Sequence, residues 1–296
     1  MKKRIISGAV YTALLVGFFC LKIYVHAFCF DALIYAFAVI GTWEILRAFK
    51  DKTTKPQRVM VLIFAIVCIP VCAITEEYLS FGMHYTCVCF FVLGVALLSL
   101  LVLDHDKTTP ESLGVSFLSA IYPVLLLSVL VLANHATALR ALKDVAFNSN
   151  LLILFIFVVS PLADVFAFIF GLSLKKVFPK KLAPTLSPNK TIIGAIGGLV
   201  GGMLGACALY FAYGAIAGSF ENMGLWLPVY LVMGLLCAAA TAFGDLVESC
   251  IKRKVGIKDM GKIMPGHGGV MDRIDGTLFA SIVVYLAFSV VRMYLI

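Results

Sequence analysis

A chain of 296 residues that is 62% hydrophobic and 14% charged, with a mean hydropathy of +1.03, cannot hide its apolar surface in a water-soluble globule and must use a bilayer as solvent. The nine cysteines (Cys20, Cys29, Cys68, Cys72, Cys87, Cys89, Cys207, Cys237 and Cys250) lie almost wholly in apolar stretches without regular loop spacing, which sets aside a disulfide framework or zinc ribbon and makes them small core hydrophobes. The formal net charge of +8 suits membrane topology, anionic headgroups and nucleotide phosphates, and no nucleic acid partner is expected.

Met1-Lys2-Lys3-Arg4 precedes an apolar run from Ile5 to Leu21 that could pass for a secretory signal, but no convincing small-residue cleavage site follows, so it counts as span one. Span two covers roughly Ala27 to Leu46, with Trp43 and Glu44 near its end, where an aromatic and a charge suit the interface. Asp31, at its outer end, is expected to reach headgroup water. Further runs at about 59–75, 85–103, 113–133, 151–173, 192–218, 225–243 and 277–295 each approach the roughly 20 residues a helix needs to cross. Nine spans define an all-α integral membrane protein. With a cytoplasmic N-terminus, all but Lys22, Arg140, Lys143 and Arg292 of the 24 Lys and Arg fall inside, which supports both count and orientation.

Span six carries Asp164 in SPLADVFAFIFG, at a depth where a carboxylate is costly unless it faces a polar cavity. The loop after it is Pro-rich and holds five lysines, and Ser187, Asn189 and Thr191 are available there as caps for span seven. Lys190 is a lysine near a helix N-terminus, where it can serve as a topological charge or bind phosphate. In span seven, Gly194, Gly198 and Gly202 line one ridge and Gly197, Gly201 and Gly205 the next, which predicts close helix packing.

The stretch from Ala242 to Thr277 concentrates both signs of charge, with five glycines from Gly256 to Gly269, in a chain otherwise nearly all apolar. If the helix of span eight continues past Phe243, Asp245, Ser249 and Lys252 fall at i, i+4 and i+7 on one face. Asp272 and Asp275 then share a face where span nine begins, either as caps and dipole partners or, with Asp245, as oxygen ligands for Mg²⁺. Spaced carboxylates, cations and glycines are what a site for a metal-bound polyphosphate requires.

The order of residues here is specific. Ser249-x-Ile251-Lys252-Arg253, Lys258-Asp259-x-Gly261 and Met264-Pro265-x-His267-Gly268-Gly269-Val270-x-Asp272-Arg273-Ile274-Asp275, at these spacings, resemble the signature of the phosphatidate cytidylyltransferases, or CDP-diacylglycerol synthases. Gly244-Asp245-Leu246 with Glu248 extends the match upstream. Ser187-Pro188-Asn189-Lys190-Thr191 with Gly194, Gly197 and Gly198, and Asp164 with Ala167 and Gly171, are similar to two further motifs of that family. The chain departs from the family's usual Lys at Asn189, Trp-Glu at Ile192-Ile193, Tyr at Phe168 and Ser at Gly276, and no role is carried to position 193.

The resemblance implies transfer of CMP from CTP to phosphatidic acid, giving CDP-diacylglycerol and pyrophosphate, in the cell membrane and with the active site on the cytoplasmic side. It implies one polytopic domain over 1–296, with less specific N-terminal spans in 1–150 and the catalytic region in 151–296. Asp245, Asp272 and Asp275 would hold Mg²⁺, Lys258 and His267 would serve the reaction, and Lys190, Ser249, Lys252, Arg253 and Arg273 would bind substrate. A monovalent cation beside Mg²⁺ and a homodimer stay open. The fragment Asp272-x-x-Asp275-Gly276 also occurs in CDP-alcohol phosphatidyltransferases, but their further spaced aspartates are missing here. A CTP-dependent polyprenol kinase, releasing CDP, and a transporter remain alternatives.

Overall fold

The computed structural model describes residues 2–136, 148–217 and 223–295. Among the described residues nine helices are long and apolar enough to cross a membrane. They are α1 (Lys2–Tyr24), α2 (Ala27–Ala48), α3 (Lys55–Leu79), α4 (Gly82–Leu103), α5 (Pro110–His135), α6 (Ser149–Ser173), α7 (Ile192–Ala217), α8 (Met223–Val255) and α9 (Met271–Leu295). The expected all-α, multi-pass architecture is therefore what the chain adopts. Two of the charges used to orient it, Arg140 and Lys143, lie outside the described residues. One short antiparallel hairpin interrupts the helices, β1 (Lys181–Ala183) pairing with β2 (Ser187–Thr191) in the register Lys181 to Thr191 and Ala183 to Ser187.

The chain divides into two compact units: Met1–His135 with Lys254–Ile274, and Ala136–Arg253 with Asp275–Ile296. The first is built on α2, α3 and α5, whose Phe30, Ile34, Ile45, Ile69, Leu127 and Leu130 are fully buried. Helices α1 and α4 leave broad apolar faces uncovered, with Val16 and Leu21 on one and Phe91, Val92 and Val102 on the other. Such faces suit lipid, because acyl chains are as apolar as leucine and exposure to them carries no hydrophobic penalty. The start of α3 is set by a capping box between Thr54 and Gln57 with Pro56 in the first turn. Gln57 Nε2 also donates to Ser112 Oγ at 2.8 Å and so joins the starts of α3 and α5.

Asp31 does not reach headgroup water as expected. It is buried, with Oδ2 2.5 Å from His135 Nε2 and Oδ1 accepting from Asn134 Nδ2 at 2.8 Å. His135 Nδ1 in turn lies 2.6 Å from Glu77 Oε2. Polar partners on α3 and α5 replace the water, as a buried carboxylate demands.

In the second unit α6 and α7 pack along the glycine ridges. A Cβ at Gly197 or Gly201 would fall on the side chains of Phe170 and Phe166, and one at Gly194 would lie 2.9 Å from the Ala167 carbonyl oxygen. Gly202 instead meets the backbone of Gly234 on α8. The glycines serve close packing, as their spacing predicts. Of the three expected caps, only Thr191 acts as one, its Oγ1 accepting from Gly194 N at 3.1 Å. Ser187 and Asn189 are taken up by β2, because the lysine-rich loop folds into the hairpin and leaves only its last residue at the helix start.

Candidate active site

In the second unit α8 runs unbroken for 33 residues, so Asp245, Glu248, Ser249 and Lys252 are carried on one rigid helix. Two glycines bring α8 and α9 into backbone contact. A Cβ at Gly244 would lie 2.5 Å from the Asp275 carbonyl oxygen, and one at Gly276 would lie 2.6 Å from the Thr241 methyl. This crossing sets Asp275 within hydrogen-bonding reach of Glu248 and within electrostatic range of Asp245 and Lys252. Asp275 Oδ1 also accepts from Gly276 N at 2.7 Å. Glu248 is wholly buried, and Lys252 Nζ lies 3.5 Å from its Oε1.

The hairpin adds a cation. Lys190 on β2 forms an ion pair with Asp245 Oδ2, while Ser249 Oγ lies 3.5 Å from Asp245 Oδ1. Arg253 Nε reaches the Leu186 carbonyl oxygen at 3.5 Å. Asp245, Glu248, Asp275, Lys190, Ser249 and Lys252 are thus gathered together. Three carboxylates face two ammonium groups here, in surroundings where like charges repel strongly. Hard oxygen donors with a surplus of negative charge fit Mg²⁺. Among the described residues no set of three or more His, Cys, Asp or Glu side chains is already arranged as a metal site. Asp164 stands exposed on α6, within electrostatic range of Cys237.

In the first unit the glycine-rich loop after α8 is shaped by backbone only glycine adopts readily. Gly256, Gly266 and Gly268 have φ of 79°, 79° and 87°. Pro265 and Gly266 occupy the centre of a tight turn in which His267 N donates to the Met264 carbonyl at 2.9 Å, and Met264 N donates to Gly268 O at 2.9 Å. His267 Nδ1 lies 2.5 Å from Ser7 Oγ on α1, and Ser7 also donates to the Pro265 carbonyl at 3.1 Å. Asp272 Oδ2 accepts from Met260 N at 2.9 Å and Gly269 N at 2.7 Å. Arg273 Nη2 approaches the His267 carbonyl at 3.5 Å, and Lys258 is exposed on the loop.

Sequence reasoning missed three participants. Glu248 was noted within the motif but given no role; Ser7 looked like any small residue of span one. Glu44, assigned to the interface, is instead wholly buried, with its Oε1 accepting from Val270 N at 3.1 Å and its Oε2 from Met271 N at 3.0 Å. One signal pointed to it. No residue with a capping side chain precedes α9 at Gly268-Gly269-Val270, so the helix start needs an acceptor from elsewhere.

The fold and these side chains define a multi-pass α-helical membrane protein whose acidic and basic groups cluster at helix ends among glycine-shaped turns. The chain belongs to the cytidylyltransferase family, whose profile matches residues 2–291. It is 42% identical over 127 residues to the phosphatidate cytidylyltransferase of Staphylococcus saprophyticus subsp. saprophyticus, a match covering 43% of this chain and 45% of that protein. To the protein of the same name from Staphylococcus aureus (strain COL) it is 43% identical over 128 residues, covering 43% and 45%. To that from Brucella abortus biovar 1 it is 40% identical over 135 residues, covering 45% of each. The chain therefore spans just under half the length of these curated relatives. With its nine membrane-length helices and bacterial relatives, it is a multi-pass protein of the cell membrane.

Proposed function

We propose that the protein transfers CMP from CTP to phosphatidic acid, releasing pyrophosphate and leaving CDP-diacylglycerol in the membrane. The observation that carries this reading is the family match across 2–291, together with the signature from Ser249 to Asp275 and, just upstream of it, Asp245 and Glu248 paired with Lys190 and Lys252. In the reaction an oxygen of the lipid phosphate attacks the α-phosphorus of CTP in line. A new P–O bond forms as the bond to the departing pyrophosphate breaks. No nucleophilic side chain is needed, so the protein positions the two phosphates and neutralises their charge.

Lys190, Lys252, Arg253, Lys258 and Arg273 are the proposed phosphate contacts, with Ser249 holding Asp245 in register. His267, held by Ser7, is the proposed further contact to phosphate or the group that balances protons. Asp245, Asp272 and Asp275, the three carboxylates that the resemblance implies, would hold Mg²⁺. When bound, Mg²⁺ screens the triphosphate and polarises the reacting phosphorus. The acyl chains stay in the bilayer while the headgroup enters from the cytoplasmic side, where the basic loops are proposed to lie.

The deciding experiment uses the detergent-solubilised protein with labelled CTP, phosphatidic acid and Mg²⁺, following lipid product and released phosphates together. CDP-lipid formed in step with pyrophosphate supports the reading. CDP released with a phosphorylated lipid points to a kinase, and no turnover overturns the enzyme assignment. The same assay with and without monovalent salt tests for a second cation. Light scattering of the purified protein tests for a homodimer, and addition of nucleic acid is expected to leave turnover unchanged.

A further inference from the structure

The start of α9 poses a problem that its own sequence does not solve. The first N–H groups of a helix lack partners within it, and Gly268, Gly269 and Val270 bring no side-chain acceptor. Asp272, in the first turn, is the nearest local carboxylate, yet its Oδ2 is engaged by Met260 N and Gly269 N. The acceptor comes instead from 226 residues upstream. Glu44 on α2 gives one oxygen to Val270 N and the other to Met271 N, at 3.1 and 3.0 Å.

The surroundings are built for this contact. Glu44 is 0% exposed. A Cβ at either Gly261 or Gly269 would fall on its carboxylate oxygens, so the two glycines open the space that the carboxylate fills. Gly41, one turn earlier on α2, lets the Met271 side chain pass, since a Cβ there would lie 2.6 Å from its Sδ. The two carboxylates thus divide four backbone N–H groups between them, at the positive end of the helix dipole, which lowers the cost of setting two negative charges side by side.

We infer that Glu44 is a positioning residue for the proposed cytidylyl transfer: it caps α9 from α2, so that Asp272 is held by the loop and presented from a fixed helix start. The inference rests on the functional reading above for its catalytic consequence and on geometry alone for its structural one. A side chain that orients a ligand-bearing element typically costs about 10–100-fold in activity or metal affinity when removed.

Glu44→Gln tests this with little change of shape. Its amide can still accept one of the two N–H groups, but its NH₂ meets the other and leaves a buried donor unmatched. Gln57→Ala, which removes a buried polar link between the starts of α3 and α5, is the control for general destabilisation. Expected for E44Q are a fall in kcat of about 10–100-fold and a higher Mg²⁺ half-saturation, with KM for phosphatidic acid unchanged. Amide exchange is expected to quicken across residues 260–272 in E44Q and not in Q57A at an equal loss of thermal stability. Unchanged exchange over 260–272, or a loss of kcat no greater than in Q57A, would overturn the inference. If wild-type protein transfers no cytidylyl group, the functional reading fails, and the exchange comparison still decides whether Glu44 holds the helix start.

Discussion

Asp272 carries two duties that a single substitution can separate. Its Oδ2 clasps Met260 N and Gly269 N, while its carboxylate charge is the proposed ligand contribution. Asp272→Asn keeps an acceptor oxygen for the loop and removes the charge. The protein is expected to insert and melt as before, and turnover to fall about 10³-fold, the equivalent of several kcal/mol of lost charge stabilisation. Near-normal turnover would remove Asp272 from the ligand set. Gly269→Ala probes the opposite quantity, because its Cβ has nowhere to go but the Glu44 carboxylate. Overpacking of that kind costs about 1–3 kcal/mol, so a lower melting temperature is expected, with faster amide exchange in 260–272. Asp272 was legible in the sequence because helical spacing and motif order are local. Glu44 was not, because a carboxylate near the end of an apolar span reads as interfacial until the helix it caps is known.

Among elements, the crossing of α8 and α9 determines which carboxylates meet. With no side chain at Gly244 or Gly276, the Gly244 Cα faces the Asp275 carbonyl, and Glu248 and Asp275 come within hydrogen-bonding reach. Gly244→Leu inserts a branched side chain into that contact, against the Asp275 backbone, while leaving every proposed ligand side chain in the sequence. Displacing a reacting group by about 1 Å can cost about 10²-fold, so turnover is expected to fall by that order while CTP-independent membrane insertion continues. Turnover at the wild-type level would show that the crossing does not set the site. The spans themselves were legible because a bilayer demands some 20 apolar residues per helix, and the ridges of α7 announced their packing through spacing. The hairpin was not legible: Pro-rich, lysine-rich sequence signals a break in helix, and only the pairing of Lys181 with Thr191 makes it a sheet.

For the whole molecule, the nine membrane-length helices among the described residues give a definite expectation of sidedness. If each membrane-length helix among the described residues crosses once, eight crossings separate the start of α1 from the loop after α8, an even number that would return that loop to the face of the N-terminus. The first unit agrees, since Ser7 near the start of α1 touches both Pro265 and His267 in that loop. On the same count, the end of α9 is expected on the opposite side of the membrane. From the excess of lysine and arginine in the loops after even-numbered helices, the shared face is expected to be cytoplasmic. What composition could not supply is the division of the chain into two units, because Lys254–Ile274 joins helices more than a hundred residues earlier. A phosphatase reporter, active only outside the cytoplasm, should therefore be silent when fused after Lys262 and active when fused after Leu295, and a fluorescent reporter that matures only in the cytoplasm should behave in reverse. The opposite pattern would put Lys190, Lys252 and the glycine-rich loop on the outer face, away from any cytoplasmic supply of nucleoside triphosphate. CTP would then be the wrong substrate to test first, whatever the carboxylates can hold.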